Sequence, residues 1–464
     1  MTLLRPKILA ARAVGELARR AGRGGGTSLP GKVLMRLEPH AITELAARLR
    51  EGCAVISATN GKTTTAAMTA SVLERWGISL VHNRAGANMA GGVASTLLAA
   101  ARGDRIDGDL GLFEVDEFWL DRVAPELGAR AMLLGNLFRD QLDRYGELET
   151  IADRWAEMVA SPSAPAQLVL NADDPLIADL GRHHPQVSYF GVQDPAMATA
   201  EMQHASDSKH CRRCGAAYVY EAVYLGHLGR YSCPSCGQRR PEPTVFAEQI
   251  ELHGTRRASF QLGTPVGSAR VELPLPGLYN VYNALGAAAL SLALGASLEA
   301  VVAGLEHVTA AFGRAERLTI GGTEVSILLV KNPAGANEIL RTLALERTSL
   351  DVLGILNDRT ADGRDVSWIW DADFELLAPS LRRMTCAGTR AAELAVRLKY
   401  AGVPAERLEV VPELATALDR AVAQAVDATL FVLPTYTALL ELRDVLSARG
   451  HVAQFWAQDG AARP

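Results

Sequence analysis

The segment Ser57-Ala58-Thr59-Asn60-Gly61-Lys62-Thr63-Thr64-Thr65 holds residue types suited to chemistry on phosphates. It follows an apolar, strand-like run, Cys53–Ile56, and leads into a helix-like stretch from about Lys62 to Trp76. In a strand–loop–helix of this kind, backbone N–H groups and a helix N-terminus surround an anion. Asn60, Gly61, Lys62, Thr63 and Thr64 would form the loop. Lys62 would place a charge on the β- and γ-phosphates, and the Thr63 hydroxyl would sit on Mg²⁺. Ala58 stands near where a first glycine is usual, so the motif departs from the full pattern. A chance Gly-Lys-Thr turn is the alternative. The flanking strand and helix favour a nucleotide, and the expected cofactors are ATP and Mg²⁺.

A second set of chemical residues is Cys211-x-x-Cys214 and Cys233-x-x-Cys236, each pair followed by a glycine, Gly215 and Gly237. Two such knuckles let four thiolates converge on one Zn²⁺ in ribbon geometry. A closed four-cysteine site leaves no open coordination position, so it would stabilise and not catalyse. Disulfides or redox pairs are the alternatives. Cys53 and Cys386 lie in apolar runs and are read as core. A third set is acidic: Asp358, Asp362, Asp365, Asp371 and Asp373 crowd around Trp368 and Trp370. On residue types alone this is a solvated loop with turn-capping aspartates.

These residues need elements to hold them. From about Val33 to Phe190, short apolar strands alternate with helices: Ala54–Ser57, Ser79–His82, Leu110–Val115, Ala131–Leu134, Leu168–Leu170 and Val187–Phe190. That alternation predicts an α/β fold with a doubly wound, mainly parallel sheet. The cysteine ribbon, about residues 205–240, interrupts it. The runs Val245–Leu252, Ala258–Leu262 and Ala269–Leu273 read as antiparallel strands of the same domain, followed by Ala/Leu-rich helices at about Leu278–Leu294 and Leu298–Gly304. A second, smaller α/β unit begins near Arg317. Its strands are expected at Ser326–Val330, Asp351–Leu356, Met384–Ala387, Leu408–Val410 and Thr429–Leu433. The domains are read as 1–40, a basic helix and a Gly-rich segment; 41–314, the ATP-binding domain with the inserted ribbon; and 315–464, the C-terminal domain.

At 464 residues, with net charge −5 and 48% hydrophobic residues, the chain has no nucleic-acid binder's global basic footprint. No apolar run approaches a transmembrane length. The N-terminus carries Arg5, Lys7, Arg12, Arg19, Arg20 and Arg23 among apolar residues at rough helical spacing, without a continuous signal-peptide core. Such a helix packs on its own domain or a partner, or lies on an anionic membrane surface.

Thr59-Asn60-Gly61-Lys62-Thr63-Thr64 resembles the phosphate loop of the Mur ligases, ATP-dependent amide-forming enzymes of peptidoglycan and folate metabolism. Further segments resemble the same family: Asn83–Met89; Glu114-Val115-Asp116-Glu117, where the family keeps a Mg²⁺-binding glutamate; and Asp140-Gln141-Leu142-Asp143. So do Asn171–Pro175, Gly277–Asn283 and the hinge Phe312–Arg317. The resemblance implies Thr63 and Glu114 as Mg²⁺ ligands, with Lys62 and Glu114 in the catalytic set. It also implies Asn171, Asn280, Asn283 and Arg314 on the nucleotide side. At a helix start, Asn280 and Asn283 suit either N-capping or adenine contact. Gln141 would coordinate through its carbonyl or bond a water.

The departures matter as much. No lysine lies between Lys62 and Lys209, so the carbamoylated lysine of many Mur ligases has no counterpart there. The family's Asp-Tyr-x-His-x-Pro is here Lys331-Asn332-Pro333-Ala334-Gly335, and with residues 1–40 alone ahead of the ATP-binding core the family's large N-terminal UDP-substrate domain is expected to be missing. Asn357–Asp371, Thr385–Arg390, Arg397–Gly402 and Leu433–Ala438 resemble one branch, the MurT family. These are the synthetase subunits of lipid II isoglutaminyl synthase. The match covers about residues 25–450.

The branch implies a cytoplasmic ligase, working at the inner face of the membrane on lipid II, with a GatD-like glutamine amidotransferase as heterodimer partner. It would amidate the α-carboxylate of D-glutamate through an acyl phosphate. It also implies that an aspartate of the acidic loop orients a histidine of the partner's glutaminase site. Asp365 is the first choice and Asp362 the second. Exposed tryptophans there would suit an interface. The competing readings are a ligase adding an amino acid, a catalytically dead scaffold, and a nucleic-acid-binding ribbon using Lys209, Arg212, Arg213, Arg230, Arg239 and Arg240.

Overall fold

A computed structural model describes residues 4–20, 28–83, 87–140, 148–161, 163–199, 202, 206–309, 314–346, 348–425 and 429–452. Gln141, Arg84 and the side chain of Arg314 lie outside the described residues.

The first domain is built on a nine-stranded sheet. Seven strands run parallel, in the spatial order Leu80–His82, Leu110–Glu114, Cys53–Ser57, Ala129–Leu134, Gln167–Asn171, Val187–Val192 and Val245–His253. Arg257–Thr264 and Gly267–Leu273 extend it antiparallel. Val245–His253 was expected to be antiparallel. It joins Val187–Val192 in parallel and turns antiparallel only towards the next strand. The ribbon insertion supplies the long crossover that a parallel join needs.

Both faces of this sheet are covered, which explains its near-continuous apolar runs. Alternate residues of one strand serve opposite cores. Ala54 and Ile56 pack with the helices Lys62–Arg75 and Leu278–Ala293, whereas Cys53 and Val55 pack with the helices nearer the N-terminus. The Leu4–Arg20 helix joins the second core through Ile8 and Ala11, and Lys7 pairs with Glu38 at 2.7 Å. Gly31 lies where a Cβ would stand 2.0 Å from the Gly91 carbonyl oxygen, so only glycine lets the helices Leu29–Leu37 and Ala90–Ala100 cross this closely.

The second domain has six strands in the order Arg314–Ile320, Thr323–Leu328, Leu430–Pro434, Leu350–Ile355, Leu381–Ala387 and Leu408–Val410. Only the first pair is antiparallel. Sequence reading missed Arg314–Ile320, because its Arg-Ala-Glu-Arg start lacks an apolar run. In the large sheet, chain order reverses about Cys53–Ser57. The crevice beyond its C-terminal end is therefore the topological switch point, where open α/β sheets bind ligands.

Candidate active site

The phosphate loop leaves Cys53–Ser57 at that switch point and ends in the Lys62–Arg75 helix. Gly61 has φ +87° and caps the helix. A Cβ there would fall 2.0 Å from Asn283 Oδ1, so both backbone and space demand glycine. The loop is pinned from the neighbouring strand end. Asn60 N–H donates to Asn136 Oδ1 at 2.9 Å, and Asn136 Nδ2 returns to the Asn60 carbonyl at 3.0 Å. The Thr59 hydroxyl accepts from Phe138 N–H at 3.1 Å. The helix N-terminus thus presents its free N–H groups at a fixed place.

Lys62 is buried, and its Nζ lies 2.7 Å from Glu117 Oε2, with the Ala58 and Thr59 carbonyls also accepting from it. Glu117 stood in the sequence only as the end of the segment Glu114–Glu117; it is 5% exposed. Burial alone would raise its carboxyl, but Lys62 and Lys331 together hold it below the ordinary range. Asp116 moves the other way, raised by burial and then by Glu117. Glu114 ends the adjacent strand in register with Ile56 and is 3% exposed. Its Oε1 accepts from Asn88 Nδ2 at 3.3 Å, and Asn83 pins its backbone on both sides. A carboxylate here and the Thr63 hydroxyl are the hard oxygen donors that suit Mg²⁺.

Beside the loop lies a cavity lined by Asn60, Thr65, Asn136, Asn171, Tyr282 and Asn283, where the sequence reading expected the nucleotide. Neither Asn280 nor Asn283 caps the helix, because Gly277 holds that position. Asn280 Nδ2 donates back to the Pro276 carbonyl at 2.7 Å, and Asn283 Nδ2 to Asn280 Oδ1 at 3.1 Å. This chain of amides leaves Asn283 Oδ1 beside the loop, accepting from Thr65 Oγ1 at 3.3 Å. Asn171 Oδ1 accepts from Asp173 N–H.

The second domain closes on this loop through residues that the sequence marked only as a departure. Asn332 caps the Pro333–Ala344 helix, accepting from Gly335 N–H at 2.8 Å. The same amide pairs reciprocally with Asn60, at 3.0 and 3.3 Å. Lys331 Nζ reaches Asp140 Oδ2 at 2.6 Å. Its ammonium is held charged, as Asp140 and Glu117 outweigh the desolvation that burial imposes.

In the acidic loop, each aspartate has its own partner. Asp358 pairs with Arg390 at 2.7 Å, and Asp371 lies 3.5 Å from Arg139 of the first domain. Asp362 is buried and caps the Tyr436–Ala448 helix through Thr437 N–H and Oγ1. Asp365 is exposed, and Ser367 bonds it locally through its side chain and through its N–H at 2.8 Å, which together lower its pKa. Trp370 is exposed, edge-on to Tyr400, with the Arg397 guanidinium over it. Trp368 is half-buried against the domain core.

The four cysteines converge. Their sulfurs all lie within 4.8 Å of one another, with Cys211–Cys236 at 3.5 Å and Cys214–Cys233 at 3.4 Å. The edge of an Sγ tetrahedron around zinc is about 3.8 Å for Zn–S bonds of about 2.3 Å, so the cluster can hold a metal ion. The two knuckles repeat one geometry: Gly215 N–H donates to the Cys211 carbonyl, Gly237 N–H to that of Cys233, and both glycines have positive φ. Backbone N–H groups, that of Cys236 foremost, pull the Cys233 thiol down to about 6. All six cysteines are free thiols, and burial pushes Cys53 and Cys386 up to about 12, as inert core residues. The ribbon's arginines are used internally: Arg212 with Asp153, Arg213 with Asp179, Arg230 with Glu221 and Arg240 with Asp173. That removes most of the basic face a nucleic-acid contact would need.

Two family models and several known proteins match this chain. Residues 56–233 match the Mur ligase middle domain, and residues 329–439 match the MurT ligase C-terminal domain. A Streptococcus pneumoniae protein named lipid II isoglutaminyl synthase (glutamine-hydrolyzing) subunit MurT is 33% identical over 95% of this chain and 96% of its own. The Staphylococcus aureus N315 protein of the same name is 32% identical over 93% and 96%. Among solved structures, a pseudomurein peptide ligase type C from Methanothermus fervidus superposes with a TM-score of 0.66 at 22% identity, covering 87% of this chain and 80% of that one. Mycobacterium tuberculosis folylpolyglutamate synthase complexed with ADP and AMPPCP gives 0.61 at 17%, covering 92% and 99%. These two share the fold.

Proposed function

The chain belongs to the MurT family of the Mur ligases, and on that premise we propose that it amidates the α-carboxylate of D-glutamate in the lipid II stem peptide. ATP is the activating substrate, and ammonia comes from a GatD-like glutamine amidotransferase in a heterodimer. The observation that carries this reading is the end-to-end similarity to proteins named as one subunit of that synthase, through both domains.

A carboxylate is a poor acyl donor because its oxygen leaves badly. Transfer of the ATP γ-phosphoryl group to that oxygen releases ADP and gives an acyl phosphate. Ammonia then attacks the carbonyl carbon, phosphate leaves, and a proton is lost to give the amide. Asn60, Gly61 and Thr64 hold the phosphates against the helix N-terminus. Lys62 exchanges Glu117 for the transferring group and neutralises its charge. Thr63 and Glu114 would hold Mg²⁺, which supplies further charge neutralisation. Asn171, Asn280, Asn283 and Arg314 serve the nucleotide side, with Asn283 fixing the loop. Glu117 is the acceptor that keeps Lys62 oriented before nucleotide enters.

Asp365 is the aspartate offered to the partner's histidine, where a carboxylate fixes the imidazole tautomer. Two observations support it over Asp362: its exposure, and the commitment of Asp362 to a helix cap. The four cysteines hold a structural Zn²⁺. Among the described residues no helix is long and apolar enough to cross a membrane; we place the reaction on the cytoplasmic face, where the lipid-borne substrate meets ATP. The test supplies ATP, lipid II and an ammonium salt to the isolated chain. Formation of a primary amide supports the reading; addition of an amino acid in its place, or no ATP-dependent product, opposes it.

A further inference from the structure

The ribbon insertion reaches the nucleotide cavity through two adjacent buried carboxylates. Asp173 follows the Gln167–Asn171 strand and is fully buried. The insertion grips it twice. The hairpin Val219–Leu225/Leu228–Ser232 donates Gly229 N–H to the Asp173 carbonyl at 2.9 Å, and Arg240, just beyond the second knuckle, pairs with its carboxylate. The Arg240 Nη2 also donates to the Val192 carbonyl at 2.9 Å. On its other side the same carboxylate accepts from the Tyr282 hydroxyl at 2.6 Å, and Tyr282 lines the cavity beside Asn283. Gly191 makes room for the arrangement: a Cβ there would stand 2.7 Å from Asp173 Oδ1 and 2.9 Å from Arg240.

The next residue repeats the connection. Asp174 Oδ2 lies 3.4 Å from His227 Nε2 of the hairpin and accepts from Leu137 N–H at 2.9 Å. Leu137 adjoins Asn136, whose amide holds Asn60. Two adjacent acids therefore join the insertion to both walls of the pocket, and Asp173, Asp174 and Arg240 are all desolvated, which makes the bonds strong and interdependent.

We propose that the insertion is a positioning device for the nucleotide pocket, with Arg240 a positioning residue that sets Tyr282 through Asp173. This rests on the reading that the pocket takes ATP. It gives the four-cysteine fold a task in the reaction without any contact with substrate. Loss of the cysteine-held metal would loosen Arg240 and Gly229 together, and so the nucleotide site.

The experiment measures Mg-ADP binding to the full chain by calorimetry, with metal content and thermal unfolding recorded for each variant. Tyr282→Phe keeps ring and volume and removes the hydroxyl alone; Arg240→Gln removes the charge. Each should weaken Mg-ADP binding on the order of tenfold, and the double variant should be little worse than the worse single one, since both act through Asp173. In the amidation assay the KM for ATP should rise while kcat holds. The cysteine-bound metal should stay at its wild-type level in Tyr282→Phe, which separates positioning from collapse of the ribbon. If Arg240→Gln fails to fold, Tyr282→Phe decides alone. Wild-type Mg-ADP affinity in Tyr282→Phe, or fully additive losses in the double variant, overturns the proposal. Absence of Mg-ADP binding to the wild type would instead overturn the nucleotide reading beneath it.

Discussion

Lys62→Met removes a buried ammonium and keeps most of its apolar stem, so it separates chemistry from folding. The catalytic loss follows from position: a preorganised charge at the transferring phosphoryl group is worth about 10²–10³ in rate. The folding loss follows from what stays behind. Glu117 loses a partner 2.7 Å away inside the protein, and stripping one member from a buried pair costs about 3–5 kcal/mol. Lys331 also favours the ionised Glu117, which sets the expected loss near the lower end, about 3 kcal/mol. Adding Glu117→Gln removes the orphaned charge. The double variant should therefore regain most of the thermal stability and none of the activity. The assay is thermal unfolding beside ADP release during ammonium-driven amidation, which needs no partner. Amidation near the wild-type rate in either variant would refute the phosphate role of Lys62. A double variant no more stable than Lys62→Met alone would refute the unpaired-charge account.

Three further outcomes are expected. Asp365→Asn should abolish glutamine-driven amidation by the heterodimer and spare ammonium-driven amidation, whereas Asp362→Ala should lower thermal stability by about 1 kcal/mol through its lost cap; equal loss of both activities in Asp365→Asn would move that residue to the synthetase cleft. Elemental analysis should find one zinc per chain, and chelation should lower the unfolding temperature; four cysteines found as disulfides in the purified protein would contradict the site. Because the folded pKa of Glu117 is depressed, its stabilisation is present above the unfolded value of about 4.3 and is lost as pH falls through the lower folded value. The stability gap between wild type and Lys62→Met should thus close on acidification, and a gap independent of pH would remove Glu117 from the account.

Local chemistry was legible in the sequence. The loop between Cys53–Ser57 and the Lys62–Arg75 helix, the two knuckles and the strands of both sheets other than Arg314–Ile320 rest on spacing within a few residues, and the structure keeps them. What stayed hidden depends on contacts between distant segments. Asn60 and Asn332 are 272 positions apart, and Asp362 caps a helix that starts some 75 positions later. The role of Glu117 stayed hidden because Lys62 is 55 positions away and no local pattern announces the pairing. Lys331-Asn332 carried a signal, the replacement of an expected motif, but only the second domain's placement on the loop gives it meaning. For Asn280 and Asn283 the sequence left N-capping and adenine contact both open; the preceding Gly277 holds the cap position.

The central claim is that the chain activates a carboxylate with ATP and hands it to ammonia. Lipid II labelled with ¹⁸O in the D-glutamate α-carboxylate tests it directly, with ATP, ammonium and the isolated chain. The account predicts one ¹⁸O in the inorganic phosphate for each amide formed, because the acyl phosphate passes its bridging oxygen to phosphate. Amide formed with unlabelled phosphate, or label that reaches phosphate while the carboxylate acquires an amino acid instead of ammonia, would contradict it.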